Sequence, residues 1–128
     1  MPIVDIELVC ATETEIATAK ADLLADALGD VFGSPPGRTW VRLRFLGSAA
    51  YAENRSEPQE SGLPVFVTVL HAHPPAGEAL AAEVRAVTHA VANGLARPFE
   101  RVHVQYAPAA AGRQAFGGDL VDRRAPAK

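Results

Sequence analysis

The sequence has little of what marks secreted, membrane or nucleic-acid-binding proteins. Its single cysteine, Cys10, allows no disulfide within the chain, so we expect a packed thiol and a cytoplasmic location. A formal net charge of −3 disfavours binding to nucleic acid or to an anionic membrane surface. No apolar run approaches the roughly 20 residues of a membrane span, and no signal peptide is evident. The 128 residues suffice for one domain with a substantial core.

The apolar pattern occurs twice, because each half of the chain reads as strand, helix and strand. Alternation of apolar and polar residues predicts four strands, at residues 2–9, 39–46, 64–72 and 101–106. An apolar stripe at helical spacing lies within each half. The first stripe consists of Ile16, Leu23, Leu24, Ala27, Leu28 and Val31. A capping-box pattern at Thr12 and Glu15 predicts the start of the first helix, and Pro74 and Pro75 predict that of the second.

We therefore predict a single α+β (α/β) domain of two tandem βαβ units. The first unit spans about residues 2–51, a polar loop 52–62, the second unit about 64–118, and a flexible tail 119–128. Right-handed crossovers make the two strands of each unit parallel, which gives a four-stranded sheet with two helices on one face. The other face of the sheet then lacks cover, and this favours self-association.

A proline at position 2 leads directly into the first strand. Proline is tolerated at the first residue of a strand, so Pro2 has an ordinary structural explanation. If Met1 is removed, however, Pro2 becomes a secondary amine at the edge of the sheet. Arg42 lies a few residues into the parallel strand, where a guanidinium together with apolar burial would lower the pKa of that amine. Arg42 and Arg44 could also bind a substrate carboxylate, or they could be a solvated strand face.

Three segments carry a resemblance to a known family: MPIVDIELV (1–9), WVRLRFL (40–46) and GRQAFGGDLV (112–121). Together with the duplicated βαβ unit they resemble the tautomerase superfamily, which includes 4-oxalocrotonate tautomerase and macrophage migration inhibitory factor (MIF). The last segment is similar to the family's aromatic-Gly-x-Gly-Gly stretch, with Phe116 as the aromatic residue. The resemblance implies a tautomerase/MIF-like fold, a homotrimer of double-length chains and no cofactor.

The resemblance also implies roles for individual residues. Pro2 matches the catalytic proline, and Arg42 matches a strand-two arginine that commonly binds a carboxylate, often in a neighbouring subunit. The family's other frequent arginine, just after a first strand, has no match here, and the second repeat carries His71 and His73 in that place. These histidines could bind an anion, shuttle a proton or ligate a metal, or they could be ordinary surface residues. No carboxylate or cysteine follows them at close spacing, so we expect no metal site.

Three residues near the C-terminus complete the predicted site. Tyr106 could donate a hydrogen bond to an enolate oxygen, or it could anchor the core. Arg113 lies in a glycine-flanked hairpin that would border the pocket, and Phe116 would supply an apolar wall against Pro2. The predicted substrate-binding residues are Arg42, Arg44, Arg113, His71, His73, Tyr106 and Phe116.

The function that these residues predict is a cofactor-independent tautomerase. It would interconvert enol and keto forms of a small-molecule 2-oxo acid, with Pro2 as general base after removal of Met1. Two alternatives share the fold: a dehalogenase, hydratase or decarboxylase of a three-carbon acid, and a non-catalytic trimer similar to MIF. A retained Met1 favours the last, because it makes the Pro2 nitrogen an amide without basicity.

Overall fold

The computed structural model describes residues 1–12, 20–57 and 62–124. A four-stranded sheet is built from β1 (Ile3–Cys10), β2 (Trp40–Gly47), β3 (Val65–Leu70) and β4 (Val102–Tyr106). The strands lie in the order β2-β1-β3-β4. β1 pairs with β2, and β3 with β4, in parallel, while β1 and β3 are antiparallel. The predicted sheet and the parallel pairing within each βαβ unit are therefore confirmed.

Two helices, α1 (Ala21–Phe32) and α2 (Gly77–Leu95), pack on one face of this sheet. α1 ends because Gly33 adopts a left-handed φ of 65°, and the N–H groups of Gly33 and Ser34 bond to carbonyls of the last turn. This is the stop that the Gly-Ser-Pro-Pro-Gly stretch predicted. Neither helix combines the length and apolar character needed to cross a membrane.

The described helices begin at Ala21 and Gly77. Lys20 precedes α1 with extended backbone angles (φ −104°, ψ 95°), and Ile16, the first residue of the predicted stripe, lies outside the described residues. Thr12 lies in a bend after β1, and Glu15 falls outside the described residues. α2 begins two residues after Pro75, because Ala76 has extended backbone angles (φ −129°, ψ 164°) and is the N-cap.

The core lies between the sheet and the helices. Its buried side chains include Val4, Ile6, Leu8, Cys10, Leu24, Leu28, Val65, Val67, Val69, Val87 and Val91. The predicted stripe of α1 is thus confirmed at Leu24 and Leu28, which lie one turn apart on one side of the helix. It is wrong at Leu23, which is 57% exposed because it is rotated away from that side.

The face of the sheet opposite the helices, called here the open face, carries both charged and apolar side chains. By strand alternation it comprises Ile3, Asp5, Glu7, Trp40, Arg42, Arg44, Leu46, Phe66, Thr68, Leu70, His103 and Gln105. Asp5 lies directly opposite Arg42, whose Nε and Nη2 donate to the two carboxylate oxygens at 2.5 and 2.8 Å. Glu7 lies opposite Arg44 in the same register. The charges of this face are therefore arranged in cross-strand pairs.

After β4 the chain returns along the end of the sheet. N–H groups at residues 107, 110 and 111 bond to carbonyls at the end of β3 and just beyond it. A hairpin of β5 (Ala115–Phe116) and β6 (Asp119–Leu120) follows, and it turns at two glycines with positive φ. Residues 119 and 120, which the sequence placed in the flexible tail, thus form the second strand of this hairpin.

Candidate functional site

Pro2 lies directly before β1, at the end of an interior strand of the sheet. Its side chain is fully buried, whereas Met1 is 40% exposed. The Pro2 carbonyl accepts the N–H of Trp40 at 3.1 Å, which ties the start of β1 to that of β2. The antiparallel register sets Ile3 opposite Leu70, so His71 follows β3 beside Pro2. The start of the chain is therefore held next to a histidine.

His71 is half-buried and uncharged at neutral pH. Its ring packs edge-on against Phe32, with centroids 5.8 Å apart, and its Nδ1 accepts the backbone N–H of His73 at 3.1 Å. Burial, the positive amine at the chain start and His73 together lower the pKa of His71 from 6.5 to about 4. Because Nδ1 of the neutral ring accepts this hydrogen bond, Nε2 carries the proton of the ring. His71 therefore offers a neutral hydrogen-bond donor beside the first residues of the chain.

The same surroundings act on an amine at the chain start. Burial lowers the pKa of the Met1 amine below its ordinary value. Pro2 is more deeply buried than Met1, so an amine on Pro2 would be desolvated further. Its neutral form, the form a general base requires, is therefore favoured here.

Within one chain, the structure does not bring Arg42 and Arg44 to Pro2. Pro2 continues the buried alternation of β1 on the helix side, whereas both arginines lie on the open face. The hydrogen bonds from Arg42 lower the pKa of Asp5, so that pair is ionised. Arg44 lines a separate depression of about 400 Å³ in the middle of the open face, together with Phe66.

The segment that leads into the hairpin crosses the open face over the start of β1. On one side of β1, the Phe116 ring stacks on Trp40 of β2, with centroids 4.7 Å apart. On the other side, Arg113 and Gln114 line a cavity of about 260 Å³ with Leu70 of β3. Since β1 lies between β2 and β3, this segment passes over the residues that follow Pro2.

Gln114 is a polar residue of this region that the sequence reasoning missed. It is 8% exposed, and neither Nε2 nor Oε1 has a hydrogen-bond partner among the described residues. Its carbonyl accepts the N–H of Val121 at 2.7 Å, which fixes its backbone. A buried polar group without a partner is rare, and it costs about 1–3 kcal/mol. In the sequence, a glutamine between glycines resembles an exposed loop residue, and no local signal indicates its burial.

Tyr106 is engaged elsewhere in the chain. Its ring packs against the core, and its hydroxyl donates to Glu83 Oε2 of α2 at 2.5 Å. Burial, followed by the hydrogen bond to Glu83, raises the pKa of Tyr106 above its ordinary value. The hydroxyl of Tyr106 thus joins β4 to α2 through Glu83.

The arrangement was compared with known proteins. No protein-family model matches the chain, and no match is found among curated proteins. Solved structures do match. A wild-type fused 4-OT symmetric trimer is 17% identical, with a TM-score of 0.71 over 93% of this chain and 94% of that one. MIF from Oncomelania hupensis is 20% identical, with a TM-score of 0.72 over 96% of this chain and 84% of that one.

A third similar structure is FG41 malonate semialdehyde decarboxylase inhibited by 3-bromopropiolate. It is 21% identical, with a TM-score of 0.65 over 90% of this chain and 88% of that one. All three relatives are members of the tautomerase superfamily. The resemblance drawn from the three sequence segments is confirmed at the level of the fold: this chain has the double-length fold of the tautomerase superfamily.

Proposed function

We propose that the protein is a cofactor-independent tautomerase that interconverts enol and keto forms of a 2-oxo acid. Pro2, freed by removal of Met1, is its general base. The observation that carries the proposal is the buried position of Pro2 beside an uncharged His71, in surroundings that lower the pKa of an amine. The fold supports it, because fused 4-OT shares that fold.

In the direction of ketonisation, the neutral Pro2 nitrogen takes the proton of the enol hydroxyl and a proton is returned to a substrate carbon. Negative charge develops on the 2-oxygen during this transfer. The Nε2–H of His71 donates to that oxygen and stabilises the charge. His73 is a positioning residue, because its backbone N–H occupies Nδ1 of His71 and thereby keeps the proton on Nε2.

The substrate carboxylate is bound by arginines in this proposal. Arg113 serves from the segment that crosses the open face at the end of the sheet where His71 lies, and Phe116, which stacks on Trp40 of that face, provides an apolar wall there rather than against Pro2. Arg42 and Arg44 serve a site of a neighbouring subunit, since the open face is the surface on which another copy packs. Arg42 then exchanges part of its contact with Asp5 for the substrate.

We propose a homotrimer, because the open face leaves the half-buried Leu46 and Phe66 without cover from the helices. One fused 4-OT relative is a symmetric trimer. Light scattering should give the mass of three 13.5 kDa chains, and a monomer would contradict the proposal. We place this assembly in the cytoplasm, where a lone reduced cysteine such as the buried Cys10 is stable.

The test is ketonisation of the enol of phenylpyruvate and of 2-hydroxymuconate, followed by absorbance. A general base typically raises the rate of a reaction about 10²- to 10⁴-fold, and we expect Pro2→Ala to lower the rate of ketonisation by a factor in that range. Pro64→Ala is the matched control, because Pro64 leads the second repeat but has no free amine. Intact mass must show that Met1 is absent from each protein. Equal rates for wild type and Pro2→Ala would remove Pro2 from the mechanism.

Decarboxylation of a 3-oxo acid is the second candidate. It passes through an enolate, which the Nε2–H of His71 would also stabilise, and one relative is a malonate semialdehyde decarboxylase. Release of carbon dioxide from malonate semialdehyde distinguishes this candidate from the first. If neither reaction is observed and Met1 is retained, the protein is a non-catalytic trimer.

A further inference from the structure

Arg42 contacts a carboxylate of its own chain and also lines an open cavity. Its Nε and Nη2 donate to the two carboxylate oxygens of Asp5 at 2.5 and 2.8 Å. Arg42 also lines a cavity of about 470 Å³ together with Ile3, Trp40 and Phe116. Its side chain is 59% exposed, so a ligand in this cavity can reach the guanidinium. The group that such a ligand meets is therefore already paired with a carboxylate.

The lining of this cavity fits an anion that carries an apolar group. The rings of Trp40 and Phe116 stack on one another, and Ile3 and Val41 add aliphatic surface. Arg42 is the only charged residue among the described residues that line it. The volume lies within the roughly 300–1,000 Å³ of small-molecule sites. A carboxylate on an aryl or alkyl group suits it, because the guanidinium donates to the carboxylate and the rings contact the apolar part.

The charge of Asp5 opposes the binding of a second carboxylate to Arg42. The hydrogen bonds from Arg42 hold the pKa of Asp5 below its ordinary value, so Asp5 is ionised at neutral pH. It occupies the edge of the guanidinium formed by Nε and Nη2. A ligand carboxylate either displaces Asp5 from that edge or binds the remaining N–H groups beside its negative charge. In both cases Asp5 weakens the attraction between Arg42 and the ligand.

We propose that Asp5 is a built-in competitor of the substrate carboxylate and sets the affinity of Arg42 for it. Because the pair is exposed, its loss should shift a binding equilibrium by about two- to fivefold. The proposed function gives Arg42 the carboxylate of a substrate that is held at Pro2 of another copy. The identity of the ligand as a substrate rests on that function, whereas the competition rests on the ion pair and the cavity.

Binding of an unreactive acid tests the competition independently of catalysis. Trp40 is the only tryptophan of the chain, so its fluorescence reports binding in the cavity. 3-Phenylpropionate has a ring and a carboxylate but cannot tautomerise, and 3-phenylpropionamide is its uncharged counterpart. Asp5→Asn should lower the Kd of the acid by about two- to fivefold and leave that of the amide unchanged. Glu7→Gln is the matched control, because it removes a charge opposite Arg44 on the same face, and it should follow wild type.

A double variant separates competition from a structural role of Asp5. Without the guanidinium there is nothing to compete for, so Asp5→Asn should not change the Kd of the acid when Arg42→Gln is also present. If Asp5 instead positioned Arg42 for the ligand, Asp5→Asn would weaken binding. Equal or weaker binding of the acid by Asp5→Asn, a gain that persists with Arg42→Gln, or a Trp40 signal that does not respond to the acid would overturn the inference. Tighter binding by Asp5→Asn without turnover of any 2-oxo acid would support it and refute only the proposed function.

Discussion

The pKa of His71 predicts how the stability of the protein depends on pH. In the native state this pKa is lowered to about 4, whereas an unfolded chain has the ordinary value of 6.5. Between these two values the unfolded state binds a proton that the native state does not bind. The free energy of unfolding therefore rises with pH across this window, and stability is lost as the pH falls from about 6.5 towards about 4.

The magnitude follows from the size of the shift and the exposure of the ring. At about 1.4 kcal/mol for each pH unit, the full shift corresponds to about 3 kcal/mol. His71 remains open to solvent on one side, so screening reduces this amount, and we expect about 1.5 kcal/mol. The groups that repel its charged form are the amine at the chain start and His73.

Urea unfolding of wild type and His71→Asn between about pH 7 and about pH 4.5 measures this contribution. Asparagine can accept the N–H of His73 but does not titrate. As the pH falls over this range, the free energy of unfolding of wild type should decrease by about 1.5 kcal/mol more than that of the variant. His89→Asn, which changes an exposed histidine of α2, is the matched control and should follow wild type. Parallel curves for wild type and His71→Asn, or an NMR titration of His71 near its ordinary pKa, would refute the reasoning.

Two further predictions concern packing and a buried contact. Gly94→Ala should lower the free energy of unfolding by about 1 kcal/mol, because the added Cβ would lie 2.5 Å from Cδ2 of buried Leu24, and this overpacking outweighs the helix preference of alanine. Gly29→Ala is its control: the nearest atom is 4.0 Å away, so urea unfolding should show a gain of about 0.5–1 kcal/mol, and a shared sign for both variants would contradict the packing argument. Tyr106→Phe should cost about 1 kcal/mol in the same measurement, since it removes the hydrogen bond to Glu83 without changing the ring, and a neutral result would show that the bond contributes nothing.

The sheet could be predicted because its signal is local and regular. Val4 and Ile6 alternate with polar residues, and the same pattern recurs in the second half, so the strands and their parallel pairing followed from the sequence. The start of α1 could not be predicted in the same way. α1 begins at Ala21 without a side-chain cap, so no capping residue in the sequence marks this start.

The burial of Gln114 depends on contacts between distant parts of the chain. Residues 107–111 bond to the end of β3, which is about 40 positions earlier in the sequence. This return of the chain brings residues 107–110 and Gln114 to one pocket with Leu70 of β3. His71 shows the intermediate case: its position after a strand could be predicted, but its buried, neutral state required Phe32 and the chain start to be placed against it.

The separation of Pro2 from Arg42 leads to a test of whether a site is shared between subunits. Strand alternation puts Pro2 on the helix side of β1, and the register of Asp5 with Arg42 puts that arginine on the open face. Arg42 can therefore serve a Pro2 site only from another copy. Pro2→Ala and Arg42→Gln chains should each be slow alone, but when unfolded together and refolded in equal amounts they should recover about a quarter of the wild-type rate, because about a quarter of randomly formed contacts join an intact Pro2 to an intact Arg42. If the mixture is no faster than the two separate variants, Arg42 does not act across a subunit contact.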